Sequence, residues 1–363
     1  MARVKLGDVA REYKATSADS SLPIVGLEHL TPGEIALESW DEGTETTFTK
    51  AFRKGQMLFG RRRAYLKKAA LAPFDGICSG DIIVIEAIPE KIDPALLPFI
   101  IQNDLLFDYA VGKSAGSLSP RVKWSDLKNY EFDLPDLPQQ AQLVELLRSA
   151  YETKKAYQKL LTATDNLVKS QFIEMFGDPI ENAHTRLSDI GSISSGGTPS
   201  RKVPEFFSGD LDWYSAGELN SLYLSGSVEK ITREAVENSS TTVYPAGTLL
   251  IGMYDTAAMK MGILKKDSAA NQACAGFIPS NKVNILWLYV ALSVSKDRIL
   301  LMRRGCRQKN LNVGMLKSLQ LNLPSIDAQN KFTVFFTQSE KSKFATQPCT
   351  LQHLMDAVIG QEA

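Results

Sequence analysis

The segment 131–147, EFDLPDLPQQAQLVELL, recurs near the other end of the chain as residues 320–336, QLNLPSIDAQNKFTVFF. In both, a short alternating run reaches Leu-Pro, and a glutamine (Gln140 or Gln329) follows that proline after the same interval. An apolar, helix-like stretch then begins. One Leu-Pro pair marks a loop and nothing more. The same order of strand, proline, glutamine and helix, found twice, indicates that the chain contains a duplicated unit.

Three further pairs of segments extend the repeat in the same order along the chain. They are KLGDV (5–9) with RLSDI (186–190), GQMLFG (55–60) with GTLLIG (247–252), and GKSAGSL (112–118) with GCRQKNL (305–311). The second pair has a turn glycine, an apolar strand, and a glycine where the backbone bends or approaches a neighbour closely. We therefore expect a shared scaffold at these segments and divergent surfaces between them.

The composition is that of a soluble globular protein. Of the 363 residues, 44% are hydrophobic and 23% charged, which is enough to build two domains with their own cores. Lys plus Arg and Asp plus Glu both number 41, which excludes a general polycation but leaves local basic patches open. We find no signal-peptide pattern and no bilayer-length apolar run. The scattered cysteines lack zinc-site spacing, so we expect reduced thiols in a cytoplasmic protein.

Each half ends in a helical tract. Between Gln139 and Phe176 apolar residues recur three or four positions apart, and Gly177-Asp178-Pro179 ends the pattern. A helix of about 38 residues would be roughly 55 Å long and needs a partner along its length. The apolar stripe between Phe332 and Val358 supplies one, which predicts that the two helices pair along their length. The alternative is two helices packed on their own domains. Pro348 should kink the second helix.

These observations together predict an α+β fold with an internal pseudo-two-fold repeat. Two globular domains of mixed α/β structure are each followed by a long helix, and the two helices pair as a coiled coil. The expected boundaries are a first domain at 1–138, a central spacer helix at 139–178, a second domain at 179–325 and a C-terminal spacer helix at 326–363.

Catalytic motifs are not found in the sequence. Gly112-Lys-Ser-Ala-Gly116 fits the nucleophile elbow of hydrolases, but a proline follows where the elbow needs a helix. A P-loop ending at the same Gly-Lys-Ser would need glycine at position 107, which is Phe107. The metalloprotease, dinucleotide-binding and amino-methyltransferase motifs are also missing. The sequence therefore predicts a chain without catalytic residues, cofactor or metal of its own.

Basic clusters in the divergent segments are the candidate functional residues. Arginine, lysine and asparagine contact phosphates and base edges, so two clusters at equivalent ends of duplicated units favour DNA binding. A solvated charged face is the alternative for any single cluster. The predicted DNA-binding residues are Arg61, Arg62, Arg63, Tyr65, Lys67, Lys113, Arg121 and Lys123 in the first half, and Thr198, Arg201, Lys202, Arg303, Arg304, Arg307, Gln308, Lys309 and Asn310 in the second.

Two stretches in the second half carry a family resemblance. SSGGTPSR (194–201) followed by GDLDWYSAGEL (209–219) is similar to the opening of a target recognition domain in the specificity (S) subunit of type I restriction–modification enzymes. In the first half, FGRRRAY (59–65) and FDGICSG (74–80) look like a recognition domain of another type. The whole chain resembles such an S subunit.

The resemblance implies two recognition domains joined by an antiparallel helix pair, each reading one half of a split double-stranded DNA site. Because the two halves differ, the site should be asymmetric. The resemblance also implies that two methyltransferase (M) subunits dock on the chain and bind S-adenosylmethionine, and that a restriction (R) subunit can join. The chain itself would be non-catalytic. A DNA-binding protein without methyltransferase partners remains the alternative, as does an enzyme of unrecognised type.

Overall fold

The computed structural model describes residues 2–19, 21–43, 46–303 and 310–344. Within these ranges the chain forms two compact units, which divide in sequence between Lys159 and Leu160. We call the part up to Lys159 unit 1 and the part from Leu160 onward unit 2.

Unit 1 is made of short strands and helices. Its strands are β1 Ala2–Lys5, β2 Ala10–Glu12, β3 Ile24–Val25, β4 Lys50–Phe52, β5 Met57–Gly60, β6 Ala69–Leu71, β7 Gly76–Cys78, β8 Ile82–Ala87 and β9 Glu131–Leu134. Its helices are α1 Leu6–Val9, α2 Leu97–Ile101, α3 Asp104–Gly112, α4 Trp124–Leu127 and the first part of α5 Leu137–Phe176. The strands pair in the orders β2-β8-β5-β6, β3-β7-β4 and β1-β9.

Strands β5 and β8 lie at the centre of unit 1 and are buried on both faces. Met57, Phe59 and Ile83 belong to a core that includes α2 and α3. Leu58 and Val84 face a second core, beside β7. A strand covered on both sides needs apolar side chains on both faces. This explains why MLFG in β5 and IIVI in β8 do not alternate between apolar and polar residues. The loops that follow these strands are consequently held on a rigid scaffold.

Unit 2 repeats this construction. Its strands are β10 Thr185–Arg186, β11 Gly191–Ser195, β12 Leu211–Tyr214, β13 Tyr223–Leu224, β14 Glu229–Ile231, β15 Val243–Tyr244, β16 Leu249–Gly252, β17 Met261–Leu264, β18 Ser268–Ala270, β19 Cys274–Pro279 and β20 Gln320–Leu321. Besides the last part of α5, its helices are α6 Leu187–Ile190, α7 Arg233–Glu237, α8 Ile285–Val294, α9 Lys296–Leu301, α10 Val313–Ser318 and α11 Ile326–Phe344. The sheets are β11-β19-β16-β17-β13, β14-β12-β18-β15 and β10-β20.

The predicted duplication is confirmed by the sheet topology. The strand order β2-β8-β5-β6 in unit 1 corresponds to β11-β19-β16-β17 in unit 2. The glycine before β5 and the glycine before β16 share a left-handed conformation, with φ of 84° at Gly55 and 85° at Gly247. Each donates its amide N–H over 2.8 Å to a carbonyl at the end of the neighbouring strand, that of Ala72 after β6 and that of Leu264 in β17. A side chain would be strained at both positions, which explains the glycine in each copy.

The predicted antiparallel helix pair is confirmed in unit 2. The Phe172 ring of α5 meets the Phe332 ring of α11 edge to face, with 5.2 Å between centroids. Further along, Lys343 of α11 pairs with Asp165 of α5 at 2.5 Å, so the two helices run in opposite directions. α5 begins at Leu137, two residues before the expected start, because Pro138 is tolerated in a first helical turn. Pro348 and its predicted kink lie outside the described residues.

Two further expectations concern membranes and thiols. In the part of the chain that the structure describes, no helix combines the length and the hydrophobicity needed to cross a bilayer.

Cys78 and Cys274 are buried free thiols. Burial raises the pKa of each to about 12, so both are unreactive at neutral pH.

Candidate nucleic-acid interface

The first candidate site is the turn after β5, which contains the predicted arginine cluster. The amide N–H of Gly60 donates to the carbonyl of Lys68 at 2.8 Å and closes the turn. Inside it a 3-10 turn at Ala64–Leu66 is flanked by Arg63, with φ of 54°, and Lys67, with φ of 51°. Left-handed backbone costs a non-glycine residue on the order of 1 kcal/mol, so the surrounding contacts must impose this conformation.

The surrounding contacts come from the loop between α3 and α4. The amide N–H of Val122 donates to the carbonyl of Arg61 at 3.0 Å, and that of Arg63 donates to the carbonyl of Pro120 at 2.8 Å. The structure thus brings together two of the predicted clusters, 61–67 and 113–123. They are separated by about fifty residues in sequence, and the sequence pattern did not predict their contact.

Asp81 organises the charges at this junction. Its carboxylate accepts from Arg121 Nε at 2.6 Å and lies 3.6 Å from Arg62 Nη1. The hydrogen bond from Arg121 is the main reason why the pKa of Asp81 is held below its usual value. Arg62 also donates to Ser119 Oγ at 3.1 Å. Arg62 and Arg121 are therefore partly neutralised and fixed in place.

The remaining predicted residues of unit 1 divide into engaged and free groups. Lys67 pairs with Asp104 at 2.6 Å. Lys113 is exposed, with its Nζ 5.6 Å from the centre of the Tyr109 ring. Arg63, Tyr65 and Lys123 are exposed as well, and Tyr65 has 53% of its surface accessible. The exposed members of the predicted set in unit 1 are thus cationic or aromatic.

In unit 2, the segment 194–201 is fixed by close backbone contacts. A Cβ at Gly196 would lie 2.3 Å from the carbonyl oxygens of Ala270 and Asn271, so no side chain fits there. Thr198 follows and hydrogen-bonds to Gln272. The tight glycines therefore place the next residues beside the ends of β18 and β19.

Arg201 is committed to contacts within unit 2. Its guanidinium lies 4.2 Å from the centre of the Phe207 ring and donates to Glu229 Oε2 at 2.8 Å. That hydrogen bond raises the pKa of Arg201 and lowers that of Glu229. Lys202, the next residue, is exposed and is the free cation of this segment.

The second predicted cluster of unit 2 is described only at its ends. Arg303 Nε donates to the carbonyl of Leu300 at 2.9 Å. Asn310 Oδ1 accepts from the amide N–H of Asp255 at 3.1 Å. Arg304, Arg307, Gln308 and Lys309 lie outside the described residues.

Unit 2 has a turn at 252–260 that its sequence does not predict, because GMYDTAAMK shares little with GRRRAYLKK. The amide N–H of Gly252 donates to the carbonyl of Lys260 at 2.8 Å and closes this turn. Tyr254, Asp255 and Thr256 are exposed in succession. The available signal was the matched strand GTLLIG, since the turn follows it directly.

A buried carboxylate is a second feature that the sequence did not reveal. Asp212 on β12 is fully buried, with Lys266 Nζ at 3.0 Å and Lys230 Nζ at 4.0 Å. The phenol of Tyr214 lies 3.5 Å from the same carboxylate. Burial, reinforced by the charge of Asp212, raises the pKa of Tyr214 to about 12. Two half-exposed lysines thus lie beside the buried carboxylate of Asp212.

One group among the described residues has ligand atoms close enough to share a metal ion, namely Glu28, His29 and Asp41. His29 Nδ1 accepts from the amide N–H of Gly26 at 3.0 Å, and its Nε2 lies 3.6 Å from Asp41 Oδ1. Both ring nitrogens thus have partners within the protein. We assign no metal to this group.

Comparison with known proteins places these features in context. A family model described as "Type I restriction modification DNA specificity domain" matches residues 3–162 and again 179–348. The type I restriction enzyme MjaIX specificity subunit of Methanocaldococcus jannaschii is 28% identical over 154 residues, which are 40% of this chain and 35% of that protein. The type I restriction enzyme EcoDI specificity subunit of Escherichia coli is 27% identical over 186 residues, 47% of this chain and 40% of that protein.

The chain thus spans less than half the length of the curated relatives it matches. Among solved structures, the type I restriction–modification S subunit from M. genitalium superposes with a TM-score of 0.56. That comparison covers 100% of this chain and 96% of the other at 13% identity, and it is a likeness of fold.

Proposed function

The chain belongs to the family of type I restriction modification DNA specificity domains, and from this we propose that it is the target-reading subunit of such a system. The observation that carries the proposal is the double match of the family model to two units of equivalent sheet order. In this proposal residues 1–138 and 179–325 are the two target recognition domains, and 139–178 and 326–363 are the helical spacer.

Each unit would read one half of a split DNA site. In unit 1 the reading surface is the junction of the turn 61–67 with the loop before α4, where Arg63, Lys113 and Lys123 are exposed. In unit 2 it includes Lys202 and the segment around Arg303 and Asn310. Because the two surfaces carry different side chains, the two half-sites should have different sequences.

Catalysis would come from other subunits. We propose that two methyltransferase subunits, carrying S-adenosylmethionine, assemble on this chain, and that a restriction subunit joins them. The net charge of zero supports a requirement for partners, since tight binding to a duplex needs many phosphate contacts and this chain has no cationic excess. The other candidate, a DNA-binding protein that acts without such partners, has no particular feature of the chain in its favour.

The test combines a DNA titration with methylation mapping. The chain is co-expressed with the methyltransferase subunit of its own system, and duplex binding is measured at one salt concentration with and without that partner. We expect tight binding only in the complex, and methylated adenines in one asymmetric, split motif. Equal affinity without the partner would favour the independent DNA-binding protein. A purified complex that neither binds nor methylates a split site would refute the function.

A further inference from the structure

The turns at 60–68 and 252–260 share several backbone features in the two units. Each is closed by a 2.8 Å hydrogen bond from its first residue, Gly60 or Gly252, to the carbonyl of its ninth. In each, the fourth and eighth residues are left-handed: Arg63 and Lys67 in unit 1, with φ of 54° and 51°, and Asp255 and Met259 in unit 2, with φ of 49° and 59°. Each also contains a 3-10 turn, at Ala64–Leu66 in unit 1 and, one position earlier in the turn, at Asp255–Ala257 in unit 2.

These four residues are most of the non-glycine residues with a positive φ in the described ranges. Across the described ranges, the only other non-glycine residue with a positive φ is Asn182. Left-handed non-glycine residues are uncommon and persist where the surrounding structure imposes them, most often at functional sites. Two copies of the same costly turn at equivalent places indicate a shared task.

The neighbouring loop holds both turns in the same way. In each turn the amide N–H of the first left-handed residue donates to that loop. Arg63 donates to the carbonyl of Pro120, and Asp255 donates to Asn310 Oδ1. A second bond joins Val122 to Arg61 in unit 1 and Leu311 to Met253 in unit 2. Asn310 therefore holds the backbone of Asp255 in place.

The side chains on this shared backbone are chemically opposite. Unit 1 exposes the guanidinium of Arg63, whereas unit 2 exposes the carboxylate of Asp255 between Tyr254 and Thr256. No ion pair involves Asp255 in the part of the chain that the structure describes. A carboxylate at a DNA surface is repelled by phosphates, so its favourable partner there is an amino group on a base edge.

We propose that Tyr254–Thr256 is the base-reading turn of unit 2 and that Asp255 accepts a hydrogen bond from the exocyclic amino group of a cytosine. This inference rests on the proposed function. The major groove offers amino groups on cytosine N4 and adenine N6. A carboxylate suits cytosine better, because adenine also presents N7, an acceptor beside its amino group, to which a carboxylate has no hydrogen to donate. Arg63, at the equivalent position of unit 1, has the donors that suit guanine O6 and N7.

The test uses the complex of the full chain with its methyltransferase partner and maps the methylated sites. In Asp255→Asn the new side chain tolerates left-handed backbone and is able to donate as well as accept, which suits adenine. We expect one C·G pair in one half-site to become relaxed or to change toward A·T, with discrimination falling about 5- to 150-fold. The other half-site should be unaffected.

Two more variants keep the outcome decisive. Asp255→Gly removes the carboxylate and adopts the required backbone without strain, so it should fold and relax the same pair. Asp210→Asn makes the same charge change at an exposed residue directly before β12 and should leave the motif and its occupancy unchanged.

Three results would overturn the inference. The first is an unchanged motif in both Asp255 variants, and the second is a uniform loss of methylation with the motif intact. The third is relaxation at a pair other than C·G. A wild-type complex that methylates no split site would instead refute the proposed function, so the two failures are distinguishable.

Discussion

The side chain of Gln140 on α5 accepts a hydrogen bond from the amide N–H of Asp93 at 2.7 Å and donates to the carbonyl of Pro135 at 2.8 Å. Gln329 on α11 makes the same two bonds in unit 2, to Asn284 at 2.8 Å and Pro324 at 2.9 Å. Both glutamines are buried. A proline ending a strand, with a glutamine five residues later, thus fastens each long helix to its own unit.

The buried glutamine should contribute strongly to stability. Gln140→Leu leaves the Asp93 amide and the Pro135 carbonyl without partners, and each unsatisfied buried group costs about 1–3 kcal/mol. We expect the free energy of unfolding to fall by about 2–4 kcal/mol in chemical denaturation. Gln139→Leu, at the exposed neighbouring position, should change it by less than about 0.5 kcal/mol. Equal effects of the two substitutions would show that the buried bonds are unimportant.

The close approach at Gly196 provides a second prediction. Gly196→Ala would place a methyl group 2.3 Å from two backbone carbonyl oxygens, which cannot move aside as a flexible side chain could. We expect a loss of about 1–3 kcal/mol or more in unfolding free energy, measured by denaturant titration. Gly226→Ala has open space around the new methyl group and is the matched control. If both variants lose the same unfolding free energy, the backbone carbonyls near Gly196 do not exclude a side chain there.

The repeat was predictable because its signals are local: Leu-Pro, glutamine and turn glycines recur at fixed intervals. The matched turns were not. A positive φ is normally signalled by glycine or asparagine, but Arg63, Lys67, Asp255 and Met259 adopt it because loops distant in sequence hold them. The same limit applies to Asp81, since nothing near it in sequence predicts its pairing with Arg121. Tertiary contacts decided these features, and one sequence does not display them.

The charge cluster at Asp81 should make stability pH-dependent. The folded-state pKa of Asp81 is lowered from 3.8, chiefly by the Arg121 hydrogen bond. Its contribution to the free energy of unfolding is therefore complete above pH 3.8 and is lost as the pH falls through the lowered pKa. Asp81→Asn should therefore lower the Tm at pH 7, and the difference from wild type should shrink as the pH falls below 3.8. Thermal melts at several pH values measure this. A difference that stays constant across the acid range would exclude Asp81 as its source.

Arg63 allows base reading to be separated from folding. Arg63→Gly removes the guanidinium and relieves the left-handed strain, so the Tm should stay equal or rise. In the complex with its methyltransferase partner, we expect one pair of the unit 1 half-site to lose about 1–3 kcal/mol of discrimination. Lys113→Ala should instead weaken binding to all sequences and reduce the salt slope by about 1, as a phosphate contact does. Arg148→Ala, exposed on α5, is the control for a lost surface charge. If Arg63→Gly matches Arg148→Ala in motif and occupancy, Arg63 is a solvated charge and unit 1 reads its half-site with other residues.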